Sequence, residues 1–109
     1  MTADHFVRTS SIAIGATTLF FAGWGLLAPA SLAAKMGVSP RTARLLGVRD
    51  LVSGTLLVTR ADRAAFTLRA LADVSDAWTM ADTRPGIAAA AGGFAGWSAV
   101  SAALATRQR

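Results

Sequence analysis

Two long stretches without any charged residue constrain this chain more than any other feature of its sequence. They are Thr9–Ala34 and Pro85–Thr106, and each exceeds the roughly 20 residues that a helix needs to cross a bilayer. The hydrophobic segments between them carry five charged side chains: Arg49, Asp50, Arg69, Asp73 and Asp76. If the outer stretches span a membrane, these charges enter it with them, and charge at that depth is costly and usually functional.

The composition also favours a membrane protein. The 109 residues are 53% hydrophobic and 16% charged, with a mean hydropathy of +0.47, whereas soluble domains are about 25% charged. The net charge is +5, but the bases are scattered over loops and ends, so we expect no nucleic-acid partner. The chain has no cysteine and one histidine, His5, and we expect neither a metal nor a cofactor.

Apolar runs and turn signals predict a single all-α domain over residues 1–109, an integral membrane bundle of four transmembrane helices. The predicted helices cover about residues 12–28, 44–59, 64–80 and 86–105. No segment alternates as a strand does, and Gly and Ala stand where strands favour Val, Ile or Tyr. The predicted turns are RADR (60–63) and ADTRPG (81–86), and Pro85 suits the first turn of a helix.

Two alternatives to a membrane bundle of four transmembrane helices stay open. The first apolar segment has small residues at 28–30 that suit signal-peptide cleavage. Its length, and an amino-terminal region in which Asp4 offsets Arg8, favour a retained helix. A soluble helical bundle is the second alternative, because the segment at 44–59 is short for a bilayer.

The distribution of bases predicts the orientation. Four crossings place these bases on the side of the termini: Arg8, Arg60, Arg63, Arg107 and Arg109. The opposite side has these bases: Lys35, Arg41, Arg44 and Arg84. The positive-inside rule therefore predicts a multi-pass protein of the cell membrane with cytoplasmic termini.

Small residues at helical spacing indicate how the helices pack. We interpret Gly92 and Gly96 as a packing motif within the bundle, with a homo-oligomer or a partner membrane protein as the alternative. In the second helix, Gly47 and Gly54 lie on the stripe of Asp50. The first helix has a similar face of small residues: Thr18, Ala22 and Gly25. The tryptophans are predicted packing or interface anchors: Trp24, Trp78 and Trp97.

The charged residues converge if the second and third helices form an antiparallel hairpin about the turn at 60–63. This places Asp50 beside Asp73. The spacing i, i+4, i+7 places Arg69, Asp73 and Asp76 on one stripe. Arg49 then pairs with Asp73 or Asp76, and Arg69 pairs with the other.

Two interpretations of this cluster compete. In the first, the charges are structural ion pairs. In the second, three acids and two bases leave one carboxylate incompletely paired, so a proton stays on Asp73 or Asp76 and is used in chemistry. The candidate acid/base residues are Asp50, Asp73 and Asp76, and the candidate binding residues are Arg49 and Arg69.

The run GVRDLVSG (47–54), followed by Arg69 and DVSDA (73–77), resembles the core of a family of small four-helix bacterial membrane proteins of unknown function. It is also distantly similar to the DoxX-like membrane bundles. The resemblance covers the second and third helices, and Arg49, Asp50 and Asp76 match the family's charged positions. It implies a four-helix membrane fold and no agreed activity.

Three functions are compatible with these features. A binding or accessory membrane protein is favoured. An enzyme performing isomerisation, cyclisation or epoxide opening on a lipophilic small molecule is the alternative, and proton or ion translocation is the third; whether the chain is an enzyme stays open. An enzyme needs Asp73 or Asp76 at a cavity, a structural role needs every carboxylate paired, and a transporter needs a hydrated route from both sides. The expected partners are the bilayer and a lipophilic small molecule.

Overall fold

The computed structural model describes residues 2–106, and this part of the chain forms five α-helices and no strand. The helices are α1 (Ala3–Leu27), α2 (Pro29–Met36), α3 (Pro40–Arg60), α4 (Arg63–Met80) and α5 (Pro85–Thr106). The all-α prediction is confirmed. The four predicted helices correspond to α1, α3, α4 and α5, whereas α2 is an additional helix that the apolar pattern does not predict.

Capping residues explain why two helices begin before the apolar runs that predicted them. The Thr2 hydroxyl accepts a hydrogen bond from the backbone N–H of His5 at 3.1 Å. The Ser39 hydroxyl accepts one from the backbone N–H of Thr42 at the same distance. Such caps satisfy backbone donors that a helix leaves free at its start. They are polar signals, so apolar periodicity does not locate them.

The short helix α2 continues the chain directly after α1 and packs against α1 and α3. Pro29 occupies its first turn, and Gly37 ends it with a φ of +72°, a conformation in which a side chain would be strained. Leu32 and Ala33 of α2 pack against Ala43 of α3. The segment that the prediction treated as a connection is therefore part of the helical packing.

The four long helices pack as two pairs. α1 packs most extensively on α3 and α4 on α5, whereas α3 and α4 contact each other much less. Glycines allow α1 and α3 to approach: a Cβ added to Gly25 would lie 2.7 Å from the Ala43 carbonyl oxygen and 3.1 Å from the Gly47 Cα. The small-residue faces predicted for these helices meet at this contact.

The prediction that Gly92 and Gly96 pack within the bundle is wrong. Both glycines are exposed, and a Cβ added to either would meet no atom within 4 Å in the described part of the chain. They line an outer groove of about 1020 Å³ between α4 and α5. The buried side of α5 carries Ser98 and Ser101.

The interior is partly polar and the surface carries many large apolar side chains. The apolar core includes Val7, Ile14, Leu57 and Phe66. The buried polar and charged residues include Ser10, Asp50, Ser53, Arg69 and Asp73. Large apolar side chains are exposed on every long helix, among them Phe20, Leu45, Leu71 and Val100.

By length and composition, two of the described helices can cross a membrane, Ala3–Leu27 and the part of α5 up to Ala105. This agrees with the uncharged stretches that dominate the sequence. α3 and α4 do not meet the same test, since each carries charged residues along its length. Whether α3 and α4 also cross the membrane therefore depends on which way their charged residues face.

Candidate functional site

The charged site lies between the two helix pairs, on the sides of α3 and α4 that face each other. α3 supplies Arg49 and Asp50, and α4 supplies Arg69, Asp73 and Asp76. Asp50, Arg69 and Asp73 are buried, and Arg49 and Asp76 are half-buried. The long arginine side chains bridge a gap that the two backbones leave open. The structure thus brings together all five residues that the sequence singled out.

Arg49 binds Asp76 through two parallel hydrogen bonds. Its Nη1 donates to Oδ1 and its Nη2 to Oδ2, each at 2.9 Å. Nε and Nη2 also donate to Oδ1 of Asp50, at 3.1 and 2.9 Å. A bidentate guanidinium–carboxylate pair is among the strongest polar contacts in proteins. All three guanidinium nitrogens of Arg49 are therefore engaged by carboxylates of the chain itself.

Arg69 connects α4 to α3 from a more deeply buried position, with 3% of its surface exposed. Its Nη1 donates to Oδ1 of Asp50 at 2.9 Å and to the Ser53 hydroxyl at 3.1 Å. Its Nη2 donates to Oδ1 of Asp73 at 2.8 Å, one helical turn along α4. Oδ1 of Asp50 consequently accepts hydrogen bonds from both arginines and links the two ion pairs.

The excess of carboxylates over guanidinia is located at Asp73. Its Oδ2 is buried and has no hydrogen-bond partner within residues 2–106, and the same holds for Nε of Arg69. Both oxygens of Asp76, in contrast, are bound by Arg49. A buried charged oxygen without a partner is costly. Asp73 is therefore the carboxylate whose charge is least compensated.

A cavity of about 350 Å³ opens beside the charged residues. All five of them line it, together with Lys35 of α2. Its apolar wall includes Phe21 and Trp24 of α1 and Ile87 and Phe94 of α5. The rings of Phe21 and Trp24 are stacked, with centroids 5.9 Å apart. A largely apolar pocket with a few convergent polar groups is the common form of a small-molecule site.

The carboxylates of the site are held by arginines rather than grouped around a vacant centre. Among the described residues, no set of His, Cys, Asp or Glu side chains is arranged to hold a metal ion. Of the carboxylates that line the cavity, Asp73 is the one with a buried oxygen that has no partner among the described residues.

Sequence reasoning missed the cavity and the contributions of α1, α2 and α5 to it. It also missed buried serines in the half of the bundle near the termini. Trp97 Nε1 donates to the Ser10 hydroxyl at 2.8 Å, whereas the hydroxyls of Ser98 and Ser101 have no partner in the part of the chain that the structure describes. Two serines three residues apart in an Ala-rich helix share one face, and this spacing was the available signal.

The two turn acids have different environments, although the sequence suggests a solvated loop acid for both. Asp62 caps α4, since its Oδ1 accepts a hydrogen bond from the backbone N–H of Ala65 at 2.9 Å. Its Oδ2 also pairs with Arg60 at 2.8 Å. Asp82 is exposed in the α4–α5 turn. Only Asp82 fits the expectation.

Comparison of the chain with protein-family models, with curated proteins and with solved structures gave no match. The resemblance to small four-helix membrane proteins and to DoxX-like bundles stays a prediction, as do the chemical roles of the five charged residues. What the chain does must be inferred from the site itself.

Proposed function

We propose that α1, α3, α4 and α5 all cross the bilayer and that the cavity binds a small lipophilic molecule. The sequence favours a binding or accessory membrane protein, and the proposal takes the first of these two roles. The observation that carries the proposal is the cavity of about 350 Å³, whose polar end is built from all five charged residues of the hydrophobic segments. Charges inside a membrane are rare and typically mark a functional site.

The side of α3 that faces away from the bundle supports the proposal that α3 crosses the bilayer. After Arg44 and before Arg60, the exposed residues are Leu45, Val48, Leu51, Val52, Thr55, Val58 and Thr59. None of them is charged, because Arg49 and Asp50 lie toward α4. The 21 residues of α3 extend about 31 Å at the helical rise, close to a hydrocarbon core of about 30 Å. Arg41, Arg44 and Arg60 lie near the two ends of this length, where long basic side chains can reach the membrane interface.

α4 shows the same division between its two sides. The exposed residues after Arg63 are Ala64, Thr67, Leu68, Leu71, Val74, Ser75, Trp78 and Thr79. Trp78 is 87% exposed near the end of the helix, where tryptophans meet the membrane interface. The charged residues that lower the hydropathy of α3 and α4 are therefore largely turned inside the bundle, and between the arginines at the helix ends the exposed sides are uncharged.

Single cysteines test the number of crossings, since the chain has none of its own. Arg63→Cys lies at the start of α4 and Thr83→Cys in the α4–α5 turn, both at exposed positions. With four crossings, a membrane-impermeant maleimide applied to intact cells labels one of the two, and Thr83→Cys if the termini are cytoplasmic. With only α1 and α5 crossing, both positions lie on the same side and react alike, which would overturn the four-crossing proposal.

A cavity-filling substitution tests ligand binding. Ala91 lines the cavity, whereas Ala99, on the same helix, lines the outer groove. Adamantanol, a compact apolar alcohol, serves as the probe in isothermal titration of the detergent-solubilised protein. We expect it to bind the native protein and Ala99→Phe, and to lose at least ten-fold in affinity for Ala91→Phe. Equal binding to both variants would place the probe elsewhere and contradict the proposal.

An acid–base enzyme is the second candidate, favoured by the unpartnered Oδ2 of Asp73. A carboxyl that keeps its proton beside the arginine-held carboxylate of Asp76 can donate that proton to a leaving or epoxide oxygen, while an ionised neighbour accepts one. Infrared spectra at neutral pH test this. We expect the carbonyl band of a protonated carboxyl, lost in Asp73→Asn and kept in Asp76→Asn; a spectrum without that band in the native protein counts against the enzyme.

A further inference from the structure

We infer that the polar head of the ligand is a cation, an ammonium group held beside Asp73, so that the cavity selects lipophilic amines. This rests on the proposed function, since it requires that the cavity binds a small molecule. Three properties of the described site support it: the engagement of its arginines, its excess of negative charge and the aromatic rings in its wall.

The arginines are poorly placed to receive an anionic head. Every guanidinium nitrogen of Arg49 already donates to Asp50 or Asp76. Arg69 uses Nη1 and Nη2 on Asp50, Ser53 and Asp73, and its remaining Nε is buried. A carboxylate or phosphate would have to displace these charge-assisted bonds, which are the stronger kind of hydrogen bond.

The charged residues of the helix interior carry one more negative than positive charge when all are ionised. An uncompensated charge away from water is costly, and a cationic ligand removes that excess. Lys35 also lines the cavity, but it is exposed on α2, so solvent and salt screen its charge. In an empty cavity a proton on Asp73 removes the same excess of negative charge, as the acid–base enzyme proposed above requires.

Asp73 is the group that would hold the cation. It lines the cavity with 8% of its surface exposed, and its Oδ2 has no partner among the described residues. The terminal torsion of an aspartate is broad, so this oxygen can turn toward a donor while Oδ1 remains near Arg69. Phe21, Trp24 and Phe94 line the same cavity, and aromatic faces attract cations further.

Three probes of one shape and different charge test the inference: adamantylamine, adamantanol and adamantanecarboxylate. Isothermal titration of the full chain in non-ionic detergent near neutral pH measures each affinity. We expect the ammonium form of the amine to bind at least ten-fold more tightly than the alcohol, and the carboxylate to bind most weakly. In Asp73→Asn the amine should lose its ten-fold advantage while the alcohol binds as before. In Asp82→Asn, which neutralises an exposed carboxylate in the α4–α5 turn, the preference should remain.

The outcomes separate the inference from the proposed function. If the carboxylate binds as tightly as the amine, or if Asp73→Asn keeps the amine preference, the cationic head is wrong and the binding cavity stands. If none of the three probes binds the native chain, or if Ala91→Phe leaves their binding unchanged, the proposed function itself fails. The order of affinities in the native chain decides the matter even if Asp73→Asn does not fold.

Discussion

α3 contacts the long helices α1 and α4 by different means. Toward α1 it presents Gly47 and Gly54, whose missing side chains let the two backbones approach. Toward α4 it presents Arg49 and Asp50, whose side chains extend across a gap to Arg69, Asp73 and Asp76. Lipid provides no hydrophobic drive for helix association, and both contacts supply an attraction in its place. The glycine contact tolerates no added atom, and the charged contact tolerates no lost partner.

This difference also explains where the cavity lies. Backbones that meet through glycine leave no space between them, so the α1–α3 contact is filled. Between α3 and α4 the contact is made by long charged side chains rather than by close backbones, and the cavity of about 350 Å³ opens beside them. The same residues that join the two helix pairs thus also line the cavity.

The largest expected effect comes from removing the buried guanidinium. Arg69→Ala leaves Asp73 without its guanidinium partner and leaves Asp50 with Arg49 alone, and breaking such a buried pair typically costs about 3–5 kcal/mol of unfolding free energy. Unfolding by SDS in mixed micelles, followed by circular dichroism, measures the loss. Arg63→Ala, at an exposed position, should change the unfolding free energy by less than about 0.5 kcal/mol. Equal stability of the two variants would mean that the charged contact does not hold α3 and α4 together.

Within the charged contact, Asp50 and Asp73 should respond differently. Asp50→Asn weakens the acceptor shared by both arginines and should cost about 1.5–3 kcal/mol. Asp73→Asn keeps an acceptor for Arg69 and replaces the unpartnered oxygen, so its cost should stay below about 1 kcal/mol. The same SDS titration compares them, and the reverse order would show that the excess charge is not at Asp73.

The glycine contact should fail on addition of a single methyl group. In Gly25→Ala the new Cβ meets backbone atoms of α3, Ala43 oxygen and Gly47 Cα, which cannot move aside without shifting the helix. Overpacking of this kind costs about 1–3 kcal/mol. Gly96→Ala is the matched control, because its Cβ enters open space and alanine favours helix by up to about 1 kcal/mol. The midpoint temperature of thermal unfolding in detergent should therefore fall for Gly25→Ala and not for Gly96→Ala.

The smallest expected effect is at the turn that joins α3 and α4. Ala61 has a φ of +51°, and a residue with a Cβ is strained there by about 1–2 kcal/mol. Ala61→Gly should raise the unfolding free energy by about 1 kcal/mol. Ala70→Gly, in the middle of α4, should lower it by about 0.5–1 kcal/mol. The same SDS titration compares the two variants, and a loss of stability in both would contradict the strain at Ala61.

The features that the sequence predicted correctly are local ones. Helical spacing alone places Arg69, Asp73 and Asp76 on one side of a helix. The turn near Ala61 brings α3 and α4 back alongside each other, and the reach of an arginine then allows the observed pair of Arg49 with Asp76. No knowledge of the remaining helices is needed for any of these steps.

The features it could not predict depend on several helices at once. α5 is almost uniformly small and apolar, so no face of it is marked as the inner one, and Gly92 and Gly96 were assigned to the wrong side. The cavity is lined by residues of all five helices, so it depends on how they pack together, which no local pattern encodes. α2 depends on Pro29 and Gly37 at its ends rather than on an apolar repeat.

A single atom, Oδ1 of Asp50, accepts three N–H groups: Nε and Nη2 of Arg49 and Nη1 of Arg69. An oxygen with two lone pairs cannot serve three donors equally well, so the two arginines compete for it. A cation that takes Asp73 from Arg69 would let Arg69 bind Asp50 more strongly, and Arg49 would then shift from Asp50 toward Asp76. The two ion pairs are therefore negatively coupled: a weaker bond between Arg69 and Asp73 means a stronger bond between Arg49 and Asp76.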